Sequence, residues 1–292
     1  MPRILEGFPI SNGMKKYKPY TKSRRQLSTI SYGNFITASE PHKALTHGFK
    51  RSMGRNNLGE ITTRHKGGGH KRLFREVDFN YDKINIPYTI KSVEYDPNRT
   101  GFIGLAQYKD GEKRYVLLPK SIKVGDVCVT GENVEAKPGN RMPLRNITVG
   151  TFVYNVELKP HGGAKIARSA GNYVEVIAKD AGYVDIKMPS TEVRKVLDTA
   201  YASIGYVSND ENRLVNLGKA GRSRWLGIRP TVRGTAMNPV DHPYGGGEQR
   251  QGRGRRRAIS IYGKPTGKGQ KSRTPKKYSN KFIVSRRKVG KK

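Results

Sequence analysis

The amino-acid sequence predicts a mainly β protein in which two small β-modules lie between basic end segments. Short apolar runs separated by turn residues recur through the middle of the chain, a spacing that is typical of small barrels. Lysine and arginine are concentrated at the two ends, and the C-terminal end has no apolar periodicity. A chain of 292 residues with 34% hydrophobic residues can bury roughly two small cores.

The first module is predicted from a β-hairpin. Residues 102–109 and 112–119 are apolar-rich runs joined by Asp110-Gly111. This dipeptide suits the positive φ angles of a two-residue type I′ turn. We therefore expect an antiparallel pair of strands with Asp110 and Gly111 at its tip.

The second module is predicted from a strand and a second hairpin. Apolar side chains alternate along residues 152–158, which indicates a half-buried strand whose buried face carries Phe152, Tyr154, Val156 and Leu158. Residues 173–178 and 183–188 flank the turn sequence at 180–182 and form the hairpin.

Turn residues at 137–140 separate the modules, which we place at residues 55–136 and 137–216. A basic extension, residues 1–54, precedes them. Residues 217–292 follow as an arm rich in Arg, Lys and Gly that cannot bury enough apolar surface to fold alone. We expect this arm to be extended and to become ordered on its partner, apart from a short helical turn at 219–225.

The distribution of charge indicates the class of partner. The chain has 57 Lys and Arg against 23 Asp and Glu, a net charge of +34. Residues 1–54 carry 10 basic and 2 acidic side chains, residues 55–216 carry 25 and 19, and residues 217–292 carry 22 and 2. The ends would repel themselves without a polyanion, so we expect nucleic acid. No apolar run reaches the ~18 residues of a membrane-spanning helix, and we expect no membrane partner.

Cys128 is the only cysteine in the sequence, which excludes an internal disulfide and a zinc site built on paired thiolates. We expect its side chain to pack as a small apolar group in a strand at 127–129. The N-terminal residues lack the apolar run of a secretory signal, so we expect a reducing, intracellular compartment. We expect neither a metal nor a cofactor.

A glycine-rich motif, residues 64–72, is the first candidate binding site. Three adjacent glycines let the main chain approach a phosphate or sugar closely, and basic residues flank them. The spacing is not that of a P-loop. A flexible solvated turn is the alternative, and a metal site on His65 and His70 would lack ligands.

A second candidate motif lies at residues 235–248. Asp241 precedes His242, which suggests an imidazole oriented by a carboxylate, but no nucleophile motif accompanies the pair. We favour an interpretation in which prolines stiffen the loop, three glycines let it thread between RNA strands, and His242 donates to phosphate or base. A loop histidine satisfied within the protein is the alternative.

A third candidate combines four arginines with Trp225, which either stacks on bases or fills a core. Its arginines are Arg222, Arg224, Arg229 and Arg233. Few acidic residues in this segment can pair with them, so we favour RNA as their partner.

These motifs resemble those of bacterial-type ribosomal protein L2 (uL2). The resemblance runs from residue 54 along most of the chain, through residues 54–71, 94–99, 110–115, 167–171 and 229–248. It implies an OB-fold-like barrel followed by an SH3-like barrel, with extended basic N- and C-terminal segments. It also implies binding to 23S-type ribosomal RNA (rRNA) near the peptidyl transferase centre, contacts with neighbouring ribosomal proteins and the small subunit, and roles in assembly, subunit association and tRNA positioning.

The resemblance assigns the noted histidine of the family to His242. The family commonly has a second histidine where this chain has Tyr244, and the stretch before Gly54 is diverged, so we expect an organellar ribosome, in the mitochondrial matrix. The residues expected to bind rRNA are Arg55, Asn56, Arg64, His65, Lys66, Gly67, Gly68, Gly69, His70, Lys71, Arg72, Arg168, Lys219, Arg222, Arg224, Trp225, Arg229, Arg233, Asn238, His242, Tyr244, Gly245, Gly246, Gly247, Arg250, Arg253, Arg255, Arg256 and Arg257.

Overall fold

The computed structural model describes residues 13–247, 257–267 and 273–287. The described chain divides into two compact units. The larger, here called the β unit, contains residues 13–50, 71–220 and 281–287. The smaller, here called the basic unit, contains residues 51–70 together with the described residues between 221 and 280. None of the described helices is long and apolar enough to span a membrane.

Short antiparallel strands dominate the secondary structure. They are β1 (Met14–Lys16), β2 (Ser28–Ile30), β3 (Thr46–Gly48), β4 (Leu73–Arg75), β5 (Tyr88–Glu94), β6 (Ile103–Tyr108), β7 (Lys113–Leu117), β8 (Val127–Cys128), β9 (Arg141–Pro143), β10 (Phe152–Tyr154), β11 (Val156–Glu157), β12 (Ala164–Ile166), β13 (Val174–Asp180), β14 (Tyr183–Lys187), β15 (Val193–Leu197), β16 (Tyr201–Ile204) and β17 (Ile283–Ser285).

The helices are short. The α-helices are α1 (Lys22–Gln26) and α2 (Ala220–Trp225), which confirms the helical turn predicted at 219–225. Single 3₁₀ turns lie at Tyr32–Asn34, Lys43–Leu45, Leu144–Asn146, Asp210–Leu214, Gly234–Ala236 and Tyr278–Phe282.

The predicted first hairpin is present in a four-stranded sheet of order β7-β6-β5-β8, but its turn differs from the prediction. Tyr108 and Glu112 are bonded through main-chain atoms at 2.9 Å, so three residues form the connection instead of two. Only Gly111 has a positive φ, of +88°, and its N–H donates to the Tyr108 carbonyl at 3.0 Å. Gly111 therefore acts as the left-handed residue of a three-residue loop.

The predicted second hairpin is also present, in a seven-stranded sheet of order β17-β15-β14-β13-β10-β16-β9. Asp180 pairs with Tyr183, and the two intervening residues, Ala181 and Gly182, have φ values of +44° and +78°. A positive φ at both positions is the signature of a type I′ turn. The two sheets confirm the mainly β class with an OB-fold-like and an SH3-like barrel.

The single strand predicted at 152–158 is wrong, because Asn155 interrupts it. Asn155 has a φ of +49°, and the strand on each side of it, β10 and β11, belongs to a different sheet. The alternation of burial is lost as well: Phe152 is 44% exposed, whereas Val153 is fully buried. A left-handed residue reverses the side-chain alternation on which the prediction depended.

Each large sheet buries its own apolar core. One core is built on the seven-stranded sheet around Val153, Val174 and Ile186. The other is built on the four-stranded sheet around Ile90 and Tyr108. Cys128 belongs to the second core at 1% exposure, as predicted, and burial raises the pKa of its thiol to about 12.

Some of the charged side chains of the β unit form ion pairs with each other, including eight of its described Lys and Arg residues. Arg114 binds Asp78, Asp82 and Glu112. Inside the unit, Arg141 donates to Glu157 at 2.7 Å, and both side chains are at most 3% exposed. This pairing is the structural counterpart of the balanced composition of the middle of the chain.

Beyond Leu217 the described chain forms only short elements, in line with its lack of apolar periodicity. One segment departs from the expected extended arm: β17 pairs with β15 and becomes the edge of the seven-stranded sheet. The C-terminal segment therefore contributes a strand to the β unit as well as most of the basic unit.

Candidate nucleic-acid interface

Two motifs that are distant in the sequence lie side by side in the basic unit. The glycine-rich loop, residues 64–70, is bonded through its main chain to residues 225–229. The hydrogen bonds have N···O distances of 2.9–3.0 Å and run from Gly67 to Gly227, from His70 to Trp225 and from Arg229 to His65. The loop is therefore held by the protein itself, which contradicts the alternative of a free solvated turn.

Each glycine of this loop is favoured for its own structural reason. A Cβ on Gly69 would lie 2.7 Å from the Gly227 nitrogen and 2.9 Å from the Trp225 carbonyl oxygen, and main-chain atoms cannot give way easily. Gly67 and Gly68 have φ values of +127° and +66°, which favour glycine. Gly69 therefore allows the two segments to touch, and the other two allow the loop to turn.

Main-chain donors of the loop remain available to a ligand. Within the described part of the chain, no main-chain carbonyl accepts a hydrogen bond from the N–H of Gly68 or Gly69. Open space lies where a side chain at Gly68 would be. Adjacent N–H groups in a turn of this kind suit an anion such as phosphate.

Asn56 closes a second loop of the basic unit. Its Oδ1 accepts the N–H groups of Leu58 and Glu60 at 3.0 and 2.9 Å, and its Nδ2 donates to the Glu60 carboxylate at 2.8 Å. Arg55 donates from Nη1 to the Gly59 carbonyl at 2.8 Å. Both predicted binding residues thus also shape the loop on which they lie.

Trp225 presents its indole at the surface. The side chain is 48% exposed, so the alternative that it fills a core is wrong. Its ring centroid lies 6.0 Å from that of His70. An exposed indole beside an imidazole suits stacking on nucleobases.

The described cations of the basic unit have no carboxylate partners. Its described residues include 13 Lys and Arg against Glu60 and Asp241. Within the described part of the chain, none of these cations forms an ion pair, whereas eight Lys and Arg side chains of the β unit do. The predicted members of this group are Arg55, Arg64, Lys66, Arg222, Arg224, Arg229, Arg233 and Arg257. Four further predicted arginines, Arg250, Arg253, Arg255 and Arg256, lie outside the described residues.

The loop around His242 is a compact turn. Main-chain N–H groups of Asp241 and His242 donate to the Asn238 carbonyl at 3.0 and 3.2 Å. A Cβ on Gly245 would lie 2.1 Å from that carbonyl oxygen, so this position requires glycine. A Cβ on Gly246 would lie 2.6 Å from a ring carbon of Pro239. Two of the three glycines therefore serve the packing of the turn.

The His242 side chain is held by its own loop. Its Nδ1 accepts the Tyr244 N–H at 3.1 Å, and its ring covers Gly234, whose Cβ would lie 2.6 Å from Nδ1. With Nδ1 as acceptor, the neutral ring carries its proton on Nε2, which is then the donor of the ring. Because a main-chain N–H holds Nδ1, Asp241 does not orient the ring as it would in a general base.

Tyr244 uses its hydroxyl within the basic unit. The Tyr244 oxygen accepts the N–H of Ile259 at 2.6 Å, and its ring centroid lies 5.1 Å from that of His242. Tyr244 thus links the His242 loop to a later segment of the chain.

Four predicted binding residues lie in the β unit. Arg72 donates from Nη1 to the Pro97 carbonyl at 2.7 Å. Arg168 is exposed, and its guanidinium lies 4.6 Å from the ring centroid of Phe79. Lys71 and Lys219 are exposed.

Sequence reasoning missed three residues beside the glycine-rich loop. Arg51 donates from Nη2 to the Gly69 carbonyl at 2.8 Å. Met53 and Leu226 are 51% and 48% exposed. Arg51 could have been found as a cation next to the motif, whereas an exposed apolar residue leaves no signal in the sequence.

Comparison with known families gives two matches to this chain. A model described as Ribosomal Proteins L2, RNA binding N-terminal domain, matches residues 42–130, and one described as Ribosomal Proteins L2, C-terminal domain, matches residues 137–263. Among the described residues, no three His, Cys, Asp or Glu side chains form a group that could hold a metal ion. The two matches confirm the resemblance read from the motifs. The chain belongs to the ribosomal protein L2 family and is an RNA-binding structural constituent of the large ribosomal subunit.

Proposed function

We propose that this protein binds 23S-type rRNA near the peptidyl transferase centre and supports large-subunit assembly, subunit association and tRNA positioning. The observation that carries the proposal is the basic unit, which has 13 described cations, none of which forms an ion pair with a described residue. Such a surface has a large electrostatic cost unless phosphates neutralise it. Neighbouring ribosomal proteins and the small subunit are the further partners of this proposal.

The segments have different roles in this proposal. Residues 55–136 and 137–216 dock on folded RNA by shape, and the basic segments 1–54 and 217–292 enter between RNA helices and neutralise phosphates. The chemistry of peptide-bond formation belongs to the RNA. His242 contributes a donor at Nε2, so His242→Gln should affect assembly or loop placement.

The proposal extends to an organellar ribosome in the mitochondrial matrix. It rests on Tyr244 in place of the usual histidine and on the Tyr- and Lys-rich stretch before Gly54. Fractionation of cells that carry a tagged chain tests it. Recovery in mitochondrial ribosomes is expected, and recovery in ribosomes of another compartment would contradict it.

The salt dependence of RNA affinity tests the role of the basic unit. Truncation at residue 217 would also remove β17, so substitutions are the sharper tool. In the triple variant R64Q/R229Q/R233Q, the slope of log affinity against log salt should become shallower by about 2–3, because each lost phosphate contact removes one counterion-release step. The measurement is a titration of a 23S-type rRNA transcript with the full chain at several salt concentrations.

A matched control removes the same net charge from the β unit. Lys120, Lys137 and Lys187 are each paired with a carboxylate, at 3.0, 2.7 and 3.0 Å. Their triple change to Gln should leave the slope nearly unchanged. Equal effects of the two triple variants would contradict the proposal, because only total charge would then matter.

Chemical footprinting separates a fixed binding site from general RNA chaperone activity. The proposal predicts protections clustered near the peptidyl transferase centre of the rRNA. Protections spread over any single-stranded region would favour a chaperone without a fixed site.

A further inference from the structure

An open cleft in the basic unit lies beside the glycine-rich loop and shares Lys66 and Gly67 with it. Its volume is about 310 Å³, which is at the lower end of the range for small-ligand pockets. Arg51, Met53, Thr63, Lys66, Gly67 and Leu226 contribute to its lining. None of the described residues that line it is acidic, so the cleft is cationic with partly apolar walls.

The main chain fixes the shape of the cleft. A Cβ on Gly54 would lie only 2.1 Å from the Thr63 carbonyl oxygen, so the two loop segments touch there. Gly67 has a φ of +127°, and a Cβ on it would approach the Met53 sulfur at 3.6 Å. Glycine at position 54 thus allows the close approach to Thr63, and glycine at position 67 allows the positive φ of the loop.

The cations and the apolar side chains of the cleft suit chemically different parts of a ligand. Arg51 is held by its hydrogen bond to Gly69, and Lys66 is exposed. Met53 and Leu226 are about half-exposed within this cationic surface. A free anion would leave that apolar wall uncovered, whereas a nucleobase covers it and brings its phosphates to the cations.

We propose that this cleft receives one RNA nucleotide that has left its helix. The base lies against Met53 and Leu226, and the adjoining phosphates bind Arg51 and Lys66. A paired helix is too wide to enter a cleft of this volume, so the occupant is a bulged or looped-out nucleotide. The inference rests on the proposed RNA binding and adds a nucleotide-sized subsite to it.

Three RNA hairpins that differ at one position test the subsite. The first carries a single bulged 2-aminopurine in its stem, the second an abasic bulge, and the third no bulge. The full chain should bind the first about tenfold more tightly than the other two, the effect of one stacked base. The 2-aminopurine fluorescence should change on binding.

Matched variants assign this preference to the cleft. Leu226→Ala should remove most of it, whereas Leu58→Ala, which changes a 78% exposed leucine of the same unit outside the cleft lining, should keep it. Lys66→Gln should weaken binding of the bulged hairpin more than Lys264→Gln does. Far-UV circular dichroism establishes that each variant is folded.

Each result distinguishes the subsite from RNA binding in general. Tight binding to all three hairpins without preference would overturn the subsite and leave the proposed function intact. Equal effects of the two leucine variants would also overturn it. Failure to bind any RNA, including the rRNA transcript, would overturn the proposed function itself.

Discussion

Replacing Arg141 by Met should destabilise the β unit strongly, because it leaves a buried carboxylate without a countercharge. Arg141 donates to the Glu157 carboxylate and to the Asn155 carbonyl, each at 2.7 Å. Its guanidinium also lies 4.5 Å from the Tyr81 ring centroid. With both charged side chains at most 3% exposed, water cannot take the place of the lost cation.

The burial of this ion pair determines how much unfolding free energy is lost. Removing one partner of a buried ion pair costs about 3–5 kcal/mol of unfolding free energy. Glu157 Oε2 also accepts the N–H groups of His161 and Tyr201 at 3.1 and 3.3 Å. Glu157→Gln keeps an acceptor for those donors but turns an amide toward the guanidinium, and should cost about 2–3 kcal/mol.

The double variant R141M/E157Q distinguishes a coupled pair from two independent residues. It contains no buried charge at this position, so its cost should be about 2–4 kcal/mol instead of the additive value of about 5–8 kcal/mol. Urea unfolding followed by far-UV circular dichroism measures all three values. Lys187→Met, which breaks an exposed pair with Glu175 at 3.0 Å, is the control and should cost about 1 kcal/mol or less.

Two results would refute this reasoning. One is a loss of stability in R141M no larger than that in the Lys187 control. The other is a double variant whose cost equals the sum of the single costs, because the two charges would then not act on each other.

Three further predictions concern side chains held within the protein. Cys128 should react with iodoacetamide about 1,000-fold more slowly in the folded protein than in urea at pH 8, because a thiol pKa of about 12 instead of 9 leaves little thiolate; equal rates would contradict the raised pKa. For the same reason the free energy of unfolding should fall as pH rises above ~9. Gly234→Ala should displace the His242 ring at a cost of about 1–3 kcal/mol, visible as a shift of the imidazole NMR signals; an unchanged spectrum would show that the ring does not lie over this glycine. Tyr244→Phe should leave the Ile259 N–H unpaired and raise its hydrogen-exchange rate, with His242→Gln as a variant that spares this bond; unchanged exchange would exclude the hydroxyl as its acceptor.

Local patterns predicted the hairpins, but not the details that depend on single backbone angles. The turn at Asp110-Gly111 has the composition of a type I′ turn, yet only Gly111 takes a positive φ. The type I′ geometry is found instead at Ala181-Gly182. Nor does the sequence settle that Asn155 is left-handed, because asparagine also occupies ordinary turn and loop conformations.

The candidate site was predicted as separate motifs, and its assembly was not. Charge and glycine content identify the loop at 64–70 and the arginines near Trp225. Their pairing joins residues about 160 positions apart, and local periodicity carries no information on such contacts. The sequence explains Gly69 by contact with a ligand alone. The structure adds a tertiary explanation, because Gly69 lies against the main chain of Gly227.

Strand β17 has a consequence for the synthesis of this protein. Until residue 285 has been made, β15 is the open edge of its sheet. At 5–20 residues per second, the chain needs roughly 5–20 s to extend from Val193 to Ser285. An unpaired strand edge invites aggregation, and Arg194 and Lys195 on β15 oppose it with positive charge during that interval. Synthesis of β17 is thus the event that covers the edge of β15.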